Sequence, residues 1–189
     1  MDWDEIGRIM SESAARARGY ADFFDWPDKS VKEWGVAQTF VKELKRVKGI
    51  NVRSGKQHPG GANHPPDFQV IIETGELWGV EITELVSQKA IEATKRGHSV
   101  VADWSDEELN ARFEYLVLKK DRPENVKGGP YDRFMLLVHV DEVMLTRGRL
   151  ERVLGRRSFR TRLIDEIYVL MSYDPRHQSY HLLSLSTTR

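Results

Sequence analysis

The stretch His64-Pro65-Pro66-Asp67-Phe68-Gln69-Val70-Ile71-Ile72, followed after a turn by Trp78-Gly79-Val80-Glu81-Ile82-Thr83-Glu84, puts one acid at the mouth of an apolar strand and a second inside the next. Carboxylates are rare in strands this apolar unless an ion or a proton offsets their desolvation. Two of them converging from neighbouring strands offer the hard oxygen donors that a divalent cation takes. Asp67 and Glu81 are therefore candidate metal ligands. Thr74-Gly75-Glu76 supplies the turn that makes a hairpin of 68–73 and 77–84. Strand alternation then sets Glu81 and Thr83 on one face, and Val80 and Ile82 on the other.

The helix before this hairpin, expected over Ser30 to Lys48, has apolar positions Trp34, Val36, Ala37, Phe40, Val41, Leu44 and Val47. At 100° per residue these centre on the direction of Glu33, so a third acid points inward. Ile50 to Arg53 reads as a short strand, and Ser54 to Pro66 as a loop that delivers Asp67. After the hairpin, a helix is expected over Ser87 to Arg96, and a second opens at Trp104-Ser105-Asp106-Glu107-Glu108-Leu109. There Ser105 and Glu108 fit a capping box, and Trp104 with Leu109 fits a hydrophobic staple. The inward stripe of that helix, Leu109, Phe113, Leu116 and Val117, is closed by Lys120. FMLLVHV (134–140) is a buried strand, Arg147 to Leu154 a helix, and Ile167 to Ser172 and Tyr180 to Leu185 strands. A helix over 2–18 precedes them all. The order predicts an α/β fold, one central mixed β-sheet flanked by helices.

The 189 residues fit one domain, with a core over about 30–140, an amino-terminal helix and a carboxy-terminal strand extension. The chain has no cysteine, which excludes disulfides, zinc-thiolate sites and cysteine nucleophiles. Met1-Asp2-Trp3-Asp4-Glu5 lacks the regions of a signal peptide, and no run is long enough to span a bilayer, so a cytoplasmic protein with no membrane partner is expected. Net charge is zero, with 29 basic and 29 acidic residues, but from Arg147 to Arg162 seven arginines face one glutamate. Within that strip Arg147, Arg149, Arg156 and Arg157 are candidates for phosphate contact.

Pro66-Asp67, then Glu81-Ile82-Thr83 after a turn, preceded by a helix with an inward acid, resembles the PD-(D/E)XK, or restriction-endonuclease-like, nuclease superfamily. VEITELVSQKAI, Trp104 before a capped helix ending Lys119-Lys120-Asp121, and LLVHVDE resemble an uncharacterised bacterial branch of it. The resemblance spans about Ser30 to Val140. It implies magnesium, with manganese as substitute, held by Asp67, Glu81 and the main-chain carbonyl of Ile82, with Glu33 as the helix acid. It also implies a magnesium-dependent endonuclease acting on nucleic acid, DNA in first place; a homodimer is compatible with it. The superfamily's lysine, two residues after the glutamate, is Thr83 here, which can carry no positive charge. Lys120 is the expected replacement, with Lys89 in reserve.

Other readings stay open at this stage. Asp67 can be a strand-start residue, Glu81 the partner of an arginine such as Arg53, Glu33 a helix amino-terminal acid, Lys120 a cation at a helix carboxyl end, and the arginines a solvated face. His58 and His64 can touch substrate or be exposed, and His139 reads as a core histidine. The functional rivals are an RNA-cleaving toxin or effector, and a binding or structural module that keeps the fold without catalysis.

Overall fold

The structure is a computed structural model that describes residues 29–57, 65–87, 103–142, 144–174 and 177–189, with positions 89, 92 and 96. The expected helix over 2–18, most of that over 87–96, and His58 and His64 lie outside the described residues. Helix α1 (Lys29–Lys48) leads to β1 (Val52–Gln57) and the hairpin of β2 (Phe68–Ile72) and β3 (Leu77–Leu85). Then come α2 (Asp106–Lys120), a short 3-10 turn (Pro123–Asn125), β4 (Arg133–Val140), α3 (Arg147–Val153), β5 (Ser158–Arg160), β6 (Glu166–Asp174) and β7 (Ser179–Thr188). Among the described residues no helix is long and apolar enough to cross a membrane.

The strands form one mixed seven-stranded sheet in the order β1-β2-β3-β4-β6-β7-β5. β3, β4 and β6 run parallel to one another at its centre, and β1–β2, β2–β3 and β6–β7 pair antiparallel. Alternation decides what covers each face. Trp78, Val80, Ile82, Met135, Leu137, Tyr168 and Leu170 pack against Val36, Ala37, Phe40 and Leu44 of α1. Phe134, Leu136, Val138, Ile167 and Val169 pack against Leu109, Phe113, Leu116 and Val117 of α2 and Leu150 and Val153 of α3. The molecule is thus an α/β sandwich of helix, sheet and helices. β6 lies against β4 near the middle of the sheet, so the strands read as an extension supply part of both cores.

Local chemistry accounts for the elements. Ser105 accepts the Glu108 N–H at 3.0 Å and Glu108 accepts the Ser105 N–H at 3.1 Å, the reciprocal capping box the sequence predicts. The β2–β3 turn closes at Gly75, whose φ of +94° is open to a residue without a Cβ. Three expectations change. The segment read as loop from Ser54 is strand as far as Gln57, because an exposed polar edge strand needs backbone pairing with β2 but no apolar alternation. Trp34 and Val47 are 37% and 45% exposed, so the buried stripe of α1 is narrower than its apolar positions, although Trp34 still rests on Phe68 at 5.0 Å. Within the arginine strip, Ser158–Arg160 adds a short strand parallel to β7, signalled only by buried Phe159.

Candidate metal centre at the free edge of β3

Phe68 is paired with Val80, and β2 begins there, so among the described residues the last residues of β3 have β4 on one side and no strand on the other. Beyond Val80, the Ile82 N–H faces that open edge and would be an unpaired donor. Asp67, one residue before β2, fills the place: its Oδ2 accepts the Ile82 N–H at 2.7 Å. Within a strand the N–H and C=O of one residue face the same edge, so the Ile82 carbonyl shares this side with Asp67. The hairpin register thus explains why the acid before β2 belongs beside Glu81.

Glu81 is 3% exposed. Its Oε1 accepts from Lys120 Nζ at 2.5 Å, and its Oε2 is buried with no hydrogen-bond partner among the described residues. Burial, and then the nearby Asp67 charge, push the Glu81 carboxyl from its ordinary 4.5 up to about 7, against the pull of Lys120 and, more weakly, of the Asp67 N–H. Lys120 enters from the last turn of α2, where the helical stripe turns it inward. Two devices fix that turn: Asn125 Nδ2 caps the carbonyls of Lys119 and Lys120, and the Asp121 carboxylate accepts the N–H groups of Arg162, Leu163 and Ile164. Lys89, the reserve candidate, instead pairs with Glu108 at the opposite end of α2.

A cavity of about 440 Å³ wraps around this edge and is lined by Glu33, Asp67, Glu81, Ile82, Thr83 and Lys120, among others. Glu33 reaches it from α1, which covers the other face of the sheet, so the acid approaches around the open edge of β3. Lys32, Glu84 and His139 also line it, and the sequence reading gave none of them a part in the site. Lys32 Nζ lies 3.1 Å from Glu84, tying α1 to the end of β3, and burial holds the Glu84 carboxyl above its usual range despite Lys32. His139 sits beside Glu84 in the sheet register and is pushed down to about 3, chiefly by burial and further by Lys32. It is a neutral imidazole at physiological pH.

The donor set fits a hard divalent cation. It comprises a carboxylate oxygen left without a donor in a buried site, a second carboxylate, and a main-chain carbonyl on the same edge. Removing a lone pair from water without a partner costs free energy that a bound cation offsets.

The arginine strip is placed elsewhere, and none of its members lines this cavity. Arg149 is directed into the protein, bonding the Trp104 carbonyl and, with Arg152, the Asp106 carboxylate at the start of α2. Arg147 pairs with Glu151 and Arg157 with Glu114. Arg156 is exposed. Apart from Arg147–Glu151, an i,i+4 pair, these contacts join residues more than forty positions apart, which explains why the strip reads as free charge in the sequence.

No protein-family model, curated protein or solved structure matches this chain. The functional reading rests on the residues themselves.

Proposed function

We propose that this protein is a metal-dependent nuclease of the PD-(D/E)XK, restriction-endonuclease-like type, hydrolysing phosphodiester bonds, of DNA in first place. The observation that carries the reading is the meeting of Asp67, Glu81 and Lys120, from a loop, a strand and a helix, at one buried point open to a cavity. Such a point supplies two acids and an ammonium to an anionic substrate, although the strand position two after Glu81 is Thr83. On this reading Asp67, Glu81 and the Ile82 carbonyl hold magnesium or manganese, with Glu33 joining directly or through water. When bound, that ion screens the phosphate, lowers the pKa of water and stabilises the leaving oxygen. Lys120 has two tasks: it offsets part of the desolvation that burial imposes on the Glu81 carboxylate, and its ammonium faces the position of the scissile phosphate or of the attacking water. Asp67 also fixes the end of β3 through the Ile82 N–H.

A second reading, a nucleic-acid-binding or structural module without catalysis, is favoured by Thr83 and by the close Glu81–Lys120 pair, which already offsets part of the buried charge. Cleavage of plasmid DNA and of RNA, measured with magnesium or manganese, separates the two. The nuclease reading expects cleavage that is lost in Asp67→Ala and Glu81→Ala while both variants stay folded. Metal binding by the wild-type chain without cleavage of either polymer would establish the module.

A further inference from the structure

We propose that Asp174, His177 and His181, at the β6–β7 hairpin, form a binding site for a borderline divalent transition-metal ion, zinc in first place, separate from the oxygen donors of Asp67 and Glu81. The hairpin builds it. Asp174 closes β6 opposite Ser179 of β7, so His181, two residues further on, projects from the same face as the diagonal neighbour of Asp174. The turn returns His177 to that face, with its N–H on the Asp174 carbonyl at 3.2 Å and Gln178 at a φ of 48°.

The three donor atoms lie within 4.8 Å of one another. His177 Nδ1 is 2.7 Å and His181 Nε2 3.4 Å from the same oxygen, Asp174 Oδ2. A tetrahedral zinc site with bonds of ~2.0–2.1 Å has donor-to-donor edges of roughly 3.3 Å. The His181–Asp174 separation already has that value, and the His177–Asp174 contact needs to lengthen by about half an ångström. Two imidazoles with one carboxylate suit zinc, cobalt or nickel, whereas magnesium takes oxygen ligands and avoids nitrogen.

Burial is graded across the set. His181 is 8% exposed, the Asp174 side chain 16%, and the His177 side chain 63%. Two donors are therefore held by packing, and the third closes over them from the turn. With three protein ligands the fourth position stays open, the arrangement of zinc sites that exchange water or substrate. It faces a cavity of about 500 Å³ lined also by Asp141, Arg147 and Ser172. Through the parallel register Glu81 is level with Leu136 and Ile167, so this site, at the far end of β6, is two strands away and further along the strands.

The test uses the whole chain, stripped with a chelator and titrated with cobalt(II), whose d–d absorption reports a tetrahedral nitrogen and oxygen set, and then with zinc(II) as competitor. We expect the tetrahedral signal to saturate at one cobalt ion per chain, displaced by zinc and not by excess magnesium. His177→Ala and His181→Ala are each expected to weaken binding by at least ~10–100-fold, the range seen when only the outer partners of a metal site are lost. His177 is in an exposed turn, so its variant keeps the fold, as circular dichroism will verify. Absence of the cobalt spectrum in the wild-type chain, or unchanged affinity in folded His177→Ala, would overturn the site. Asp67→Ala is expected to leave the titration unaltered, and loss of the signal in that variant would move the ion to the other centre and equally refute the proposal.

Discussion

Glu81→Gln gives the sharpest handle on the buried acid. The folded chain holds the Glu81 proton up to about pH 7, against an ordinary value of 4.5. The folded state therefore binds this proton more tightly than the unfolded state, and stability must fall as pH rises from about 4.5 through 7. At about 1.4 kcal/mol per unit, the shift amounts to about 3 kcal/mol once the group is ionised in both states. Glutamine reproduces the neutral carboxyl, including an oxygen that still accepts from Lys120, but it does not titrate. Urea unfolding at pH 4.5 and at pH 8 is expected to find the variant equal to wild type at the lower pH and about 3 kcal/mol more stable at the higher. Asp141, raised to about 6, Glu84, raised, and His139, lowered, also tilt the pH dependence, but they are common to both chains and cancel in the difference. Magnesium at pH 8 is expected to narrow the gap, because an ion that binds the folded wild type stabilises it by mass action. Parallel stability profiles for the two proteins would refute the account of Glu81 as a desolvated acid.

Three further outcomes follow from the same geometry. Lys120→Met is expected to lower turnover on DNA by about two to four orders of magnitude with little change in metal affinity, and full activity in the variant would remove Lys120 from the mechanism. The Arg156→Ala/Arg157→Ala double variant is expected to weaken DNA binding evenly across sequences and to flatten its salt dependence, whereas Arg149→Ala, which breaks the tie between Asp106 and the Trp104 carbonyl, is expected to lower the melting temperature without altering the salt slope; both are read by titration at several ionic strengths with parallel thermal melts. Gly79→Ala is expected to cost about 1–3 kcal/mol in urea unfolding, since a Cβ there would stand 3.0 Å from the Phe134 ring and 3.2 Å from that of Tyr131.

What the sequence made legible follows from the range of the interactions involved. The β2–β3 hairpin, the capping box of α2 and the inward course of Lys120 are periodic or local, and a period fixes the direction of a side chain before any contact is known. Glu81 stood out for the same reason, as an acid at an inward strand position. The edge strand β1 carries little apolar signal, because its pairing is made by backbone groups that every sequence shares. The pairings of Lys32 with Glu84 and of Arg149 with Asp106 span 52 and 43 residues, so nothing in either neighbourhood announces them. The Asp174, His177 and His181 group has the i, i+3, i+7 spacing of a helical face, a pattern that points away from the strands this segment forms. The hairpin turn between β6 and β7 is what brings the three together.

On the proposed reading, the same distinction bears on how an ammonium from a helix would stand in for one from a strand. A lysine at the Thr83 position would share a face with Glu81 and be held by the β3–β4 ladder. At Lys120 the side chain instead hangs from the final turn of α2, where helices ordinarily fray and carbonyls lack partners. Fraying would be fatal to a group that must stay within hydrogen-bond reach of Glu81. The chain stiffens this turn from two directions: Asn125 takes up the Lys119 and Lys120 carbonyls, and Asp121 binds three successive N–H groups just before β6. The turn is thereby anchored to the segment leading into the central sheet that also carries Glu81. Asn125 and Asp121 are therefore positioning residues for Lys120, and on the proposed reading their loss would reduce turnover without touching the metal ligands.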